Sequence, residues 1–279
     1  MRIHRLMIMM AAASLFAKPL MAAPVQATET RHFSYADLAD MTLAAPIVAG
    51  AEIRRASRLK HDLAAGTPPG HARFYVQADV RTLVRGANGL PARVSYLVDI
   101  PLGSANRAPK LRKSRVLLLA AAVPGRPGEL RLVAPDAQLA WTPDNEARVR
   151  AIIQAAISPD APPRVTGVGK AFHVPGSLPD ESETQIFLTT TDDRPISLAI
   201  LRRPGEAPRW VVALGEMVDD SAAPPAPNTL LWYRLACALP ASLPDTSIAD
   251  MNAAYAAAAA EDYRLVMAGL GRCERTIKR

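Results

Sequence analysis

The 279-residue chain is 49% hydrophobic and 21% charged, with 25 prolines and 15 glycines, proportions typical of a globular protein with many turns. Aromatic residues make up only 5%, which argues against a dedicated single-strand nucleic-acid binder, because such proteins stack bases on exposed aromatic side chains. The formal charge of +7 favours no particular partner by itself.

The N-terminal residues have the pattern of a secretory signal peptide. Arg2 and Arg5 supply a positive start, residues 6–16 form an apolar run, and Val25 and Ala27 place small side chains before a cleavage point after Ala27. The apolar run is shorter than the roughly 20 residues that span a bilayer, although an uncleaved anchor is the alternative. We therefore expect a periplasmic or secreted protein without a transmembrane segment in its mature chain.

A short helical signal at residues 34–41 precedes five segments in which apolar and polar side chains alternate. The clearest segment places Phe74, Val76, Ala78 and Val80 on one face of a strand. The five segments are PIVAGAEIRRASRLK, ARFYVQADVRTLVRG, ARVSYLVDI, SRVLLLAAAV and GELRLVAP. Turn residues separate them, which predicts five strands.

Over residues 141–157 the spacing of apolar residues changes from every second residue to every third or fourth, which predicts a helix. Thr142 can cap it, Pro143 suits its first turn, and Val149 and Ile152 belong to one apolar stripe. The stretch SPDAPP then marks a possible domain boundary. The chain thus divides into a signal peptide over 1–27, a β unit with a closing helix over 28–160, and a second unit over 161–279.

The second unit repeats the alternation. Its four predicted strands are RVTGVGKAFHV, TQIFLTT, PISLAILR and RWVVALGEM, and the connections between them are rich in turn-forming residues. A proline-rich linker leads to TLLWYRLACAL and DMNAAYAAAAAEDYRLVMAGLG, which predict two helices. We expect a four-stranded antiparallel unit followed by a C-terminal helical pair.

Candidate chemical groups gather at residues 171–190, where His173 precedes a connection that carries Ser177, Asp180 and Glu181. A nucleophile needs a base at about 3 Å, and no GxSxG elbow holds any of these serines. We interpret the stretch as the tip of a β-hairpin and predict no catalytic residue. The segment KHD lacks further metal-ligand spacing, and GVGKAF lacks the spacing of a phosphate-binding loop, so no metal, cofactor or nucleotide is expected.

The densest charge run is RAPKLRKSR, residues 107–115, which contains no acidic residue. Its cations could bind an anionic polymer or an acidic face of an envelope protein. The alternative is a solvated loop whose charges protect the apolar strand that follows from aggregation. The predicted binding residues of this basic loop are Arg107, Lys110, Arg112, Lys113 and Arg115.

Cys237 and Cys273 are the two cysteines of the sequence, and both follow the predicted signal peptide. Export to an oxidising compartment favours a disulfide between them, which would join the ends of the two C-terminal helices. Two free buried thiols are the alternative.

The motifs PKLRKSRVLLL, VAPDAQLAWTPD, HVPGSLPDESETQIFLTT and LLWYRLACALP resemble those of functionally unassigned exported proteins of alphaproteobacterial type. That resemblance covers residues 31–240 and implies export. The five strands and closing helix of the first half also resemble the oligosaccharide/oligonucleotide-binding (OB) barrel of netrin-like modules. The predicted fold class is therefore α+β: a five-stranded OB-like barrel unit, a four-stranded antiparallel unit and a C-terminal helical pair.

These patterns favour a non-enzymatic periplasmic or envelope-associated binding or accessory protein, with an envelope protein or an anionic polymer as its partner. A hydrolase of unrecognised type that acts on envelope substrates is one alternative. A secreted peptidase inhibitor, implied by the netrin-like resemblance, is another.

Overall fold

A computed structural model describes residues 33–215 and 222–277, so the predicted signal peptide and its cleavage point after Ala27 lie outside the described residues. The helices are α1 (Tyr35–Ala44), α2 (Pro143–Ile157), α3 (Leu230–Ala236), α4 (Asp245–Ile248) and α5 (Ala253–Leu270). The strands are β1 (Ile47–Arg58), β2 (His71–Arg85), β3 (Arg93–Pro101), β4 (Arg115–Ala122), β5 (Glu129–Leu132), β6 (Gln138–Ala140), β7 (Val165–Pro175), β8 (Ser182–Thr190), β9 (Ser197–Arg202) and β10 (Arg209–Ala213).

The first five strands close into a barrel in the order β1-β2-β3-β5-β4, and β4 pairs back onto β1. All neighbours are antiparallel except β3 and β5, which are parallel. Apolar side chains fill the interior, with Phe74, Val76 and Ala78 on β2 as the alternation predicts. The α+β fold with an OB-like barrel is confirmed, and the short β6, which the sequence did not reveal, extends the sheet beside β4.

The continuous apolar run in β4 arises because both faces of this strand are buried. Val116 and Leu118 point into the barrel, whereas Leu117 and Leu119 belong to a second core outside it. That second core also contains buried residues of α1, α2, α3 and α5. The outer face of β4 is therefore part of a core that it shares with these helices.

The second sheet is antiparallel, with its strands in the order β10-β9-β8-β7. Ile186, Leu198 and Ile200 share the second core with Tyr263 and Val266 of α5. Residues 33–277 belong to one compact unit. The predicted boundary at residue 160 follows the end of α2 and stays a prediction about the organisation of the chain.

The helix over 141–157 is confirmed as α2, and Thr142 accepts a hydrogen bond from the Asn145 amide at its start. Asn252 caps α5 in the same way. Among the described residues, no helix has both the length and the apolar character that a membrane crossing requires.

The C-terminal segment is held against the rest of the fold by a disulfide and by hydrogen bonds. Cys237 follows α3 and is bonded to Cys273, which follows α5, with an S–S distance of 2.05 Å. Residues 274–277, here called the C-terminal tail, then run to α1. There Arg275 pairs with Asp40 at 2.7 Å.

Candidate functional site

A groove of about 520 Å³ lies on the outer face of the barrel, over β2, β3 and β5. Strand alternation sends Tyr75 and Leu97 outward, and the two residues are direct cross-strand partners. Their exposed fractions are 38% and 50%, so this apolar pair remains in contact with solvent. This outer groove is defined by Arg73, Tyr75, Leu97, Asp99, Arg131 and Val133.

An ordered ion pair occupies the groove beside Tyr75 and Leu97. Arg73 donates from Nε and Nη2 to the two carboxylate oxygens of Asp99, each at 2.7 Å. The hydrogen bonds to Asp99 raise the pKa of Arg73. Because this fork is bidentate and the two residues are cross-strand partners, it is fixed before any ligand arrives.

The side of the groove formed by β5 and the residues before it carries charged side chains, with a net positive charge. Arg126 pairs with Glu129 at 3.2 Å, and both residues line the groove. Arg131 is exposed and forms no ion pair with another described residue. The groove thus combines an apolar centre, a neutral ion pair and one cation available to a ligand.

The basic loop connects β3 to β4, and all five of its predicted binding residues are exposed. Arg115 lies over the Trp141 ring at 3.3 Å, a cation–π contact that holds the start of β4. The Ser114 hydroxyl bonds to the Lys110 carbonyl within the loop. None of the five cations lines the outer groove. Their role in binding therefore stays a prediction.

The stretch around His173 forms the predicted β-hairpin, with β7 and β8 joined by residues 176–181. Glu181 folds back to accept the amide protons of Ser177 and Leu178, and Asp180 adopts a positive φ of 63°. The connection is therefore ordered by one of its own carboxylates.

His173 instead belongs to a polar network that the sequence did not reveal. Its Nδ1 lies 2.7 Å from the Thr184 hydroxyl, which donates to the Asp262 carboxylate on α5. Arg202 donates to the same carboxylate at 2.7 Å. Thr184 and Asp262 are fully buried, so substrate cannot reach them. This network attaches α5 to the second sheet.

Sequence reasoning did not single out Tyr75 and Leu97, although a signal for them exists. Both lie at the outward positions of strands whose inward positions are already apolar. A solvent-facing aromatic residue opposite a solvent-facing leucine indicates a face that contacts something other than water. The register that brings the two side chains together cannot be obtained from the pattern of either strand alone.

Comparison with other sequences adds no assignment, because the chain matches no protein-family model and no curated protein. No cluster of side chains in the described part of the chain is suited to hold a metal ion. The geometry of the outer groove is therefore the feature from which a function can be inferred.

Proposed function

We propose that the protein is a non-enzymatic binding protein of the bacterial envelope that holds a segment of an acidic polysaccharide in the outer groove. The observation that carries this proposal is the exposed pair of Tyr75 and Leu97 at the centre of a preformed groove on the barrel. The periplasmic or secreted location comes from the predicted signal peptide.

The chemistry of the groove suits a sugar chain. A pyranose ring presents apolar C–H faces and hydroxyl edges, and an aromatic side chain beside a leucine offers a flat apolar surface for such a face. The Arg73–Asp99 fork lies beside that surface and offers both donors and acceptors to hydroxyl groups. The strand 2–3 face is also where OB barrels bind extended oligomers, which supports this use of the face by analogy of fold.

Charge favours an acidic chain over a neutral one. Arg131 has no ion-pair partner among the described residues, and it lies in the groove. The basic loop leaves the barrel after β3, and Asp99 lies near the end of that strand. A polymer that follows β3 beyond Asp99 would meet the exposed cations of the loop, as the sequence analysis predicts for an anionic polymer.

A matched panel of oligosaccharides tests the proposal. Uronic-acid oligomers and uncharged glucose oligomers of equal length are titrated into the mature protein by calorimetry. The uronic-acid oligomers should bind more tightly, and their affinity should fall as salt is raised, because exposed charges are screened over about 8 Å at physiological ionic strength. Neutralising Arg107, Lys110, Arg112, Lys113 and Arg115 together should reduce the salt dependence.

Two other results would replace the proposal with an alternative. Shortened oligomers after incubation would indicate a hydrolase, since a binding protein returns its ligand unchanged. Failure to bind any oligomer, together with tight binding of a folded peptidase, would favour the inhibitor alternative.

A further inference from the structure

A second cavity, of about 830 Å³, lies between α1, α3 and the C-terminal tail, and it shares Val133, Ala134 and Pro135 with the outer groove. Met41, Leu43, Val133 and Ile277 contribute apolar side chains to its lining. This volume falls within the range of about 300–1,000 Å³ that is usual for small-molecule sites. We call it the tail cavity.

The tail cavity contains a guanidinium group that lacks an anionic partner. Arg234 on α3 lines it, and the Nε atom of Arg234 is buried without a hydrogen-bond partner in the described part of the chain. Arg164 also lines the cavity, and its positive charge repels the positive charge of Arg234. Burial lowers the pKa of Arg234, and the charge of Arg164 acts in the same direction. Arg234 nevertheless stays charged at neutral pH, as arginine does throughout proteins.

The acidic residues of the cavity are already engaged elsewhere. Asp37 accepts hydrogen bonds from the backbone amides of Thr276 and Ile277, at 3.0 and 3.1 Å. Asp40 accepts from Arg275 and from the Tyr233 hydroxyl. Among the described hydrogen bonds and ion pairs of the two carboxylates, none involves Arg234 or Arg164. Three arginines and two aspartates line the cavity, so its formal net charge is positive.

A buried donor without an acceptor destabilises a fold, and a second nearby cation adds repulsion. Both costs are relieved when an anion binds, since a guanidinium presents donors that match a carboxylate or a phosphate. We propose that the tail cavity binds a small organic anion, a carboxylate or phosphate carried on an apolar body, through Arg234 and Arg164. The apolar lining accommodates the body, and the two arginines hold the charged group.

None of the charged residues of the tail cavity lines the outer groove, so anion binding there can be tested separately from polysaccharide binding. Four probes test it by calorimetry on the intact protein with its disulfide: hexyl phosphate, hexanoate, inorganic phosphate and 1-hexanol. At least one of the two amphipathic anions should bind, and the tighter of the two identifies the headgroup. Inorganic phosphate and the neutral alcohol should each bind at least tenfold more weakly than that anion.

The decisive variant is Arg234→Met, which replaces the half-buried guanidinium by an apolar side chain of similar length. If Arg234 serves a ligand, this variant should keep or raise the melting temperature of the free protein and weaken anion binding at least tenfold. Arg164→Gln should also weaken binding, whereas Arg55→Gln, an exposed arginine on β1 outside the cavity, should leave it unchanged.

Three results would overturn the inference. The first is a wild-type protein that binds neither amphipathic anion. The second is equal binding of hexanol, which would show that only the apolar lining matters. The third is an Arg234→Met variant that folds and binds the anion as tightly as the wild type. Should Arg234→Met fail to fold, Arg164→Gln and Arg55→Gln still decide the question, because both positions are exposed.

Discussion

The Asp37 carboxylate on α1 accepts a 2.6 Å hydrogen bond from the Thr276 hydroxyl, which joins the first helix to the C-terminal tail across 239 residues of chain. The backbone amides of Thr276 and Ile277 donate to the same carboxylate, whose residue is only 1% exposed. Burial alone would raise the pKa of Asp37. The hydrogen bonds from the tail and from Ser34 outweigh that effect and lower it.

This lowered pKa predicts how acid affects the tail. A carboxyl group whose pKa is lower in the folded state stabilises the fold at pH values above its unfolded pKa of about 3.9. That contribution disappears as the pH falls through the folded pKa. Asp37→Asn should therefore reduce the free energy of unfolding by about 2 kcal/mol at pH 7, the scale of hydrogen bonds to a charged group.

Urea unfolding at a series of pH values measures this effect. The difference between the wild type and Asp37→Asn should shrink below about pH 4, because the wild type then loses the same charge. Asp180→Asn, an exposed position that tolerates positive φ in either form, is the matched control and should differ little from the wild type at any pH. A pH-independent difference for Asp37→Asn would contradict the account.

The disulfide should stabilise the C-terminal region strongly. Cys237 and Cys273 are 36 residues apart, and closing a loop of that length contributes about 4 kcal/mol on the chain-entropy view. Protein isolated without reductant and then unfolded should contain no free thiol. Hydrogen exchange after reduction should rise first over residues 245–277. Two titratable thiols in the native material would rule out the bond.

The Thr184 hydroxyl should matter more than its size suggests, because it lies between His173 and the buried Asp262. Thr184→Val keeps the shape but leaves both partners without their bond, which should cost about 2 kcal/mol of unfolding free energy. Thr189→Val, on the exposed face of the same strand, should change it by at most about 0.5 kcal/mol. Equal effects of the two substitutions would show that the network does not hold α5.

The β7–β8 hairpin contains two glutamates, one in the turn and one on β8, whose effects on stability can be compared. Glu181 accepts two backbone amides of the turn, whereas Glu183 is exposed on β8. Glu181→Ala should lower stability by about 1 kcal/mol, and Glu183→Ala by less than about 0.5 kcal/mol. Thermal unfolding of the two variants checks this. Identical melting temperatures would mean that Glu181 does not order the turn.

Much of the fold can be predicted from the spacing of apolar residues in the sequence. A half-buried strand is recognised by alternating apolar and polar residues, and a helix by a capping residue and an apolar stripe along one face. The short β6 was missed because a three-residue strand has no measurable period and exists only through its pairing with Leu117 and its neighbours on β4. Thr142 and Pro143 predicted the start of α2 because capping is a local interaction.

The sites were less predictable, because each depends on contacts between distant segments. Asp262 meets Thr184 across 78 residues; its spacing from Ala259 and Val266 places it on the buried face of α5, but that spacing does not identify its partner. Arg234 occurs in an apolar helix where its lack of an ion-pair partner becomes visible only in three dimensions. The basic loop was visible in the sequence because its charges are contiguous. Its role still depends on a ligand.

Methyl NMR during titration with a uronic-acid oligosaccharide tests the proposed groove most directly. Leu97 lies in the outer groove, while Leu83 is a comparably exposed leucine on β2 outside it, at 41% against 50% exposure. If the polysaccharide lies in the outer groove, the Leu97 methyl signals should shift progressively to saturation and the Leu83 signals should not, and Tyr75→Ala should weaken the response roughly tenfold. Unchanged Leu97 signals in the presence of bound oligosaccharide, or equal shifts at Leu83, would contradict the assignment of the outer groove as the binding site.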